Sequence, residues 1–193
     1  MKIVIINYGA GNIQSIKFAI QRLGHEAVLS DDAAEIKSAD KVIFPGVGEA
    51  SSAMKKLRES GLDQMIPKLT QPVLGICLGM QLMCTSSEEG DTIGLGIFDV
   101  EVRRFNNDLK IPQIGWNQIE GLKSPLFQGV SDGSHIYLVH SYYAPVISET
   151  IATTTYGTTY SSALQKKNFY GTQFHPEKSH DIGEQILKNF LEL

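Results

Sequence analysis

Apolar residues fill positions 3–6, and the Gly-rich turn Tyr8-Gly-Ala-Gly-Asn12 follows. Ile13, Ile16, Ile20 and Leu23 then recur at helical spacing before Gly24, so residues 2–24 read as strand, turn and amphipathic helix. The pattern repeats. Residues 26–30 predict a second strand, and residues 41–44 a third that ends in Pro45-Gly-Val-Gly48. Residues 49–60 predict a helix closed by Gly61. Pro72 precedes a fourth strand at 73–76, which runs into Cys77 and a helix carrying Leu78, Met80, Leu82 and Met83. Such alternation predicts an α/β fold: a mainly parallel central sheet flanked by helices, with functional groups gathered at the carboxyl ends of the strands. From about Gly94 the chain turns to stretches rich in Thr, Tyr and Val, at 95–105, 135–146 and 151–160, and this part is expected to be more antiparallel. A last helix over 181–191 directs Ile182, Ile186, Leu187 and Phe190 to the core.

Composition narrows the picture. The 193 residues are 42% hydrophobic and 20% charged, enough to bury one full core, and no repeat or linker divides residues 1–193, so a single domain is expected. Seventeen basic residues are scattered among twenty-one acidic ones for a net charge of -4, which argues against a nucleic-acid surface. The apolar run at the N-terminus is too short for a signal peptide, and no later run approaches the roughly 20 residues that span a bilayer, so no membrane partner and a cytoplasmic location are expected. Cys77 and Cys84 fall at the start of one predicted helix, about 10 Å apart at its rise per residue. That exceeds the reach of a disulfide and leaves two free thiols.

Cys77 has a special setting. In Gly75-Ile-Cys77-Leu-Gly79 a thiol stands between an apolar strand and a helix, with small residues on both sides, as in a nucleophile elbow with Cys in place of Ser. The new helix end favours the thiolate. Cys84 lacks such a setting and reads as a buried structural residue. A nucleophile needs a base, and the base an orienting group. Tyr170-Gly-Thr-Gln-Phe-His175-Pro-Glu177 offers both, with Pro176 stiffening the turn between His175 and Glu177. His25, His135 and His180 look peripheral. Two other readings fail on residues. Gly9 and Gly11 begin a dinucleotide fingerprint that Gln14 breaks, so no cofactor is expected. His175-Pro-Glu177 matches half of a zinc-deaminase signature whose P-C-x-x-C half is absent, so no metal is expected either.

Together, Gly-Ile-Cys77-Leu-Gly-Met-Gln81 and Gln-Phe-His175-Pro-Glu177 make the chain resemble the class I glutamine amidotransferases. Asn7-Tyr-Gly-Ala-Gly-Asn12, Pro45-Gly-Val-Gly48, Pro112-Gln-Ile-Gly-Trp-Asn117, Val139-His-Ser-Tyr142 and Pro176-Glu-Lys-Ser179 narrow the resemblance to the glutaminase subunits of imidazole glycerol phosphate synthase. The resemblance implies a Cys77-His175-Glu177 triad that hydrolyses glutamine through a thioester. It implies an oxyanion site at Gly46, Val47 and Leu78, and a glutamine-binding set of Gly48, Gln81, Glu89, Ser141 and Tyr142. Within Ser86-Ser-Glu-Glu-Gly90, Glu88 is a near-equivalent choice to Glu89. The implied partner is a (β/α)8-barrel synthase subunit that consumes the ammonia, in a heterodimer whose interface includes Asn12, Trp116, Asn117, Tyr137 and Lys178. Trp116 reads equally as an interface anchor or a core aromatic. Ala10, Gln113 and Ile114 depart from the family pattern. Other ammonia acceptors, in anthranilate, aminodeoxychorismate, carbamoyl phosphate or amino-sugar synthesis, are the alternative.

Overall fold

Alternation of side chains along the first strand sets up two cores. In a computed structural model describing residues 1–9, 11–106 and 108–193, β1 (Ile3–Ile6) turns Val4 and Ile6 to one face and Ile3 and Ile5 to the other, all buried. Strands buried on both faces read as continuous apolar runs, which is why β1, β3 (Lys41–Gly46) and β4 (Val73–Cys77) were legible. β2 (Ala27–Ser30), β1, β3, β4 and β13 (Phe169–Thr172) pair in parallel. The antiparallel strands β12 (Thr158–Lys166) and β11 (Thr150–Tyr156) extend the sheet beyond β13 in the order β11-β12-β13-β4-β3-β1-β2.

One face of this sheet is covered by α1 (Ile13–Arg22), α6 (His180–Glu192) and the antiparallel pair β8 (Gln113–Ile119) and β9 (Ser134–His140). The other carries α2 (Ala33–Lys37), α3 (Ala50–Glu59), α4 (Leu62–Met65) and α5 (Leu78–Leu82). Beside them lies a small sheet of β5 (Cys84–Ser87), β6 (Thr92–Ile93), β7 (Phe98–Arg104) and β10 (Tyr142–Tyr143). The α/β class and the antiparallel later half are as expected. Among the described residues no helix is long and apolar enough to cross a membrane.

Three expectations differ in detail. The third strand does not stop at Phe44 but continues through Pro45 and Gly46, opposite Ile76 and Cys77. β1 has ceased to pair with it by then, so the missing proline N–H breaks no ladder. The run 151–160 is part of a hairpin that reverses at Gly157, whose φ of +69° suits glycine. Cys84 lies on a strand rather than on a helix with Cys77. The carbonyls of Leu82, Met83 and Cys84 are taken by the N–H groups of Leu95, Ile97 and Gly96, which pull the chain out of the helix. Both thiols are free.

Candidate functional site

β4 ends in a corner. Cys77, the residue preceding α5, has φ +54° and ψ -110°, a conformation rare for a side-chain-bearing residue and one that costs of order 1–3 kcal/mol. The surroundings enforce it by packing α5 directly onto the strands. A Cβ on Gly79 would lie 1.9 Å from the Phe44 carbonyl oxygen, and one on Gly75 would lie 2.8 Å from the Met80 nitrogen. The corner lifts the thiol out of the sheet to the floor of a cavity of about 280 Å³.

β13 runs parallel beside β4 with Thr172 opposite Ile76, so His175 emerges next to Cys77. Fully buried Phe174 anchors the strand end. His175 N–H donates to the Tyr137 carbonyl at 3.0 Å, and Ser179 Oγ donates to the His175 carbonyl at 2.7 Å, fixing the main chain from both sides. Pro176–Lys178 forms one 3-10 turn, and that turn brings Glu177 Oε1 to 2.8 Å from His175 Nδ1. Both side chains are almost wholly buried. Burial pulls His175 down, but its interactions with Cys77 and Glu177 outweigh that and raise it to about 10. Among the described residues His175 Nε2 and Glu177 Oε2 are buried without a conventional hydrogen-bond partner, which leaves the second imidazole nitrogen to Cys77 and to a bound substrate. A thiol, an imidazole and a carboxylate in this order can perform nucleophilic attack with general acid-base assistance.

Of the predicted residues, Val47, Gly48, Cys77, Leu78, Gln81, Glu89, Ser141, Tyr142 and His175 line the one cavity. Gly46 is buried behind it, paired with Cys77. Tyr8 Oη donates to the Pro45 carbonyl at 2.8 Å and steadies the base of this segment. Beyond it, Val47 is 43% exposed and Gly48 has φ +95°. The two neighbouring acids point to different places. Glu89 reaches the cavity and accepts the Ala50 N–H at 2.9 Å, whereas exposed Glu88 accepts the Arg104 N–H outside it. Burial pushes Glu89 up.

Trp116 is 46% exposed, which removes the core reading. Its ring lies flat on His180 with centroids 5.0 Å apart and meets Tyr137 edge-on, while Lys178 Nζ stands 5.8 Å from the centre of the Tyr137 ring. Asn117 is different: its Nδ2 donates to the Thr155 carbonyl and its Oδ1 accepts the Gln118 N–H, so its amide is anchored within the chain with one hydrogen and one lone pair to spare. Asn12 precedes α1 and accepts from Ser15 Oγ. Gln113 is buried and Ile114 exposed, and Ala10 lies outside the described residues.

Besides Pro112 and Val139, which line the cavity, two polar residues of the site escaped the sequence reading. His140 lines the cavity wall, donating from Nδ1 to the Tyr142 carbonyl at 2.7 Å, and Gln173 lies fully buried beside Cys77. Each sits inside a quoted motif, one residue before Ser141 and two before His175, and that adjacency was the only signal.

A family model described as glutamine amidotransferase class-I matches residues 4–193. Imidazole glycerol phosphate synthase subunit HisH of Bacteroides fragilis is 57% identical, and that of Bacteroides thetaiotaomicron 53%, each match covering 100% of both chains. The same subunit of Yersinia pseudotuberculosis is 47% identical over 100% of both chains. Among solved structures, a glutamine amidotransferase superposes with a TM-score of 0.77 at 20% identity, covering 98% of this chain and 97% of its own. PurLQS from Thermotoga maritima gives 0.75 at 16%, covering 99% and 97%. With its cysteine corner, its His-Glu turn and these full-length matches, the chain belongs to the class I glutamine amidotransferases, alongside the HisH subunits of imidazole glycerol phosphate synthase.

Proposed function

We propose that the chain, as one domain, is the ammonia-producing subunit of a cytoplasmic imidazole glycerol phosphate synthase in histidine biosynthesis. The observation that carries the chemistry is the Cys77 corner facing His175 and Glu177 in one cavity. Cys77 passes its thiol proton to His175 and its sulfur attacks the γ-carboxamide carbon of glutamine, and the oxyanion is held by N–H groups of Leu78 and of the 46–48 segment. His175 protonates the departing nitrogen, so ammonia leaves and a γ-glutamyl thioester remains. A water molecule then gives its proton to His175 and attacks the thioester, releasing glutamate and restoring the thiol. Glu177 keeps Nδ1 of His175 oriented throughout. Gln81 and Glu89 accept from the glutamine ammonium, while Ser141, Tyr142 and Gly48 face its carboxylate end.

The ammonia passes to a (β/α)8-barrel synthase subunit, which docks on the face that carries Asn12, Trp116, Asn117, Tyr137 and Lys178. The exposed Val47 and the positive φ of Gly48 support a further element of this reading: the 46–48 segment completes the oxyanion site only when the liganded partner docks.

The test is ammonia release from glutamine by the chain alone and with a synthase subunit plus its nucleotide substrate. Release is expected to rise on docking and to vanish in Cys77→Ala, with the fold and partner binding retained. Undiminished turnover in Cys77→Ala would sink the mechanism, and equal rates with and without the partner would sink the control.

A further inference from the structure

A file of polar groups, half-buried at its start and fully buried at Gln173, runs from the cavity wall to the sulfur. It starts at the Tyr142 carbonyl, which can only accept, and which takes hydrogens from His140 Nδ1 at 2.7 Å and Gln81 Nε2 at 2.9 Å. That contact fixes which end of the Gln81 amide is nitrogen. The second hydrogen of the same nitrogen goes to Gln173 Oε1 at 2.9 Å, and this fixes Gln173 in turn. Its oxygen faces Gln81, and its NH₂ group faces Cys77, with Nε2 3.7 Å from Sγ. Gln173 is fully buried, its main-chain N–H is held by the Ser162 carbonyl, and its side-chain amide has no other partner among the described residues. Gln81 Oε1 is left without a protein donor among those residues, on a side chain that lines the cavity.

We propose that Gln173 is a positioning residue that couples the nucleophile to substrate recognition. Its N–H holds the Cys77 sulfur, and its carbonyl locks Gln81 so that Gln81 Oε1 faces the cavity as an acceptor for the ammonium of glutamine. The inference deepens the glutaminase reading and rests on it for the roles of Cys77 and Gln81. Neither arm would exist if Gln173 only filled space, because an apolar side chain of equal length would pack as well.

Two variants separate the arms. Gln173→Glu keeps an acceptor toward Gln81 and replaces the N–H beside sulfur with a carboxyl oxygen. Gln173→Met keeps the length and removes both contacts. Alkylation of Cys77 by iodoacetamide at pH 8, with Cys77→Ala as the control for Cys84, reads the sulfur arm without any turnover. A hydrogen bond to a charged group is worth enough that the alkylation rate is expected to fall about tenfold in both variants. Steady-state glutaminase assays of the complex read the other arm. KM for glutamine is expected to stay within about threefold in Gln173→Glu and to rise about tenfold in Gln173→Met, while kcat falls in both.

Alkylation rates within twofold of the parent in both variants, or an unchanged KM in Gln173→Met, overturn the proposal. If Gln173→Met does not fold by circular dichroism, the near-isosteric Gln173→Glu decides by the same alkylation and kcat readings. A parent complex that releases no ammonia overturns the glutaminase reading, and the alkylation rates still decide the contact between Gln173 and Cys77.

Discussion

His140 has both ring nitrogens engaged, Nδ1 with the Tyr142 carbonyl and Nε2 with the Tyr160 hydroxyl at 3.2 Å, beneath the ring of Phe105. Burial pushes it down to about 4, helped by the charge of nearby His175, so it is neutral at physiological pH. The unfolded chain takes up this proton near pH 6.5, whereas the folded chain resists until about pH 4. The stabilising contribution of neutral His140 is therefore present above pH 6.5 and is lost as the pH falls toward 4, by about 3 kcal/mol across that window. Urea denaturation at pH 7.5 and pH 4.5 is expected to show a smaller acid loss in His140→Gln than in the parent; equal losses would contradict this. Nothing in the sequence near residue 140 announced such a role. Its partner Tyr160 arrives from another sheet, and only the pairing of Gln113 with His140 across β8 and β9 closes the group. Cys77, His175 and Glu177 were readable because their local segments carry the geometry: two glycines around a corner, and one proline inside a turn.

The corner formed by β4 and α5 depends on contact between backbones. The Gly79 Cα faces the Phe44 carbonyl at a range that excludes any Cβ, and backbone, unlike a flexible side chain, has little room to give. Gly79→Ala is expected to cost more than about 3 kcal/mol, or to prevent folding, as measured by equilibrium denaturation. A cost below about 1 kcal/mol would show that α5 slides freely. Strand and helix identities were legible for β1, β4, α1, α3 and α6, whose apolar spacing is strong, helped by Gly24 and Gly61 after α1 and α3 and by Pro72 before β4. The extension of β3 through Pro45 and the strand at Cys84 were not, because both depend on which neighbour has ceased pairing and which carbonyls a returning chain claims. Those are tertiary facts.

At the scale of the molecule, the two cores leave the carboxyl edge of the parallel strands uncovered, and the cavity opens there between α5, the 46–48 segment and β9. Exposed Trp116, Lys178 and His180, with half-buried Tyr137 among them, form a cluster on the same side of the chain as the His175 turn. If the proposed synthase subunit docks there, Trp116→Ala weakens its binding by about 2 kcal/mol, roughly thirtyfold in Kd, by calorimetry. Urea denaturation of the free chain is expected to change by less than about 1 kcal/mol. The reverse outcome, intact binding and lost stability, would return Trp116 to a packing role. Composition left that residue undecided, since a lone tryptophan beside Gly115 and Asn117 suits either setting, and exposure had to come from the pairing of β8 with β9. Tyr137 places its ring in this outer cluster and its carbonyl on the N–H of His175. The surface and the main chain of His175 are thus joined through a single residue. A side chain replaced at Tyr137 therefore alters the outer cluster and leaves the main-chain support of the base in place, because that support is a backbone carbonyl.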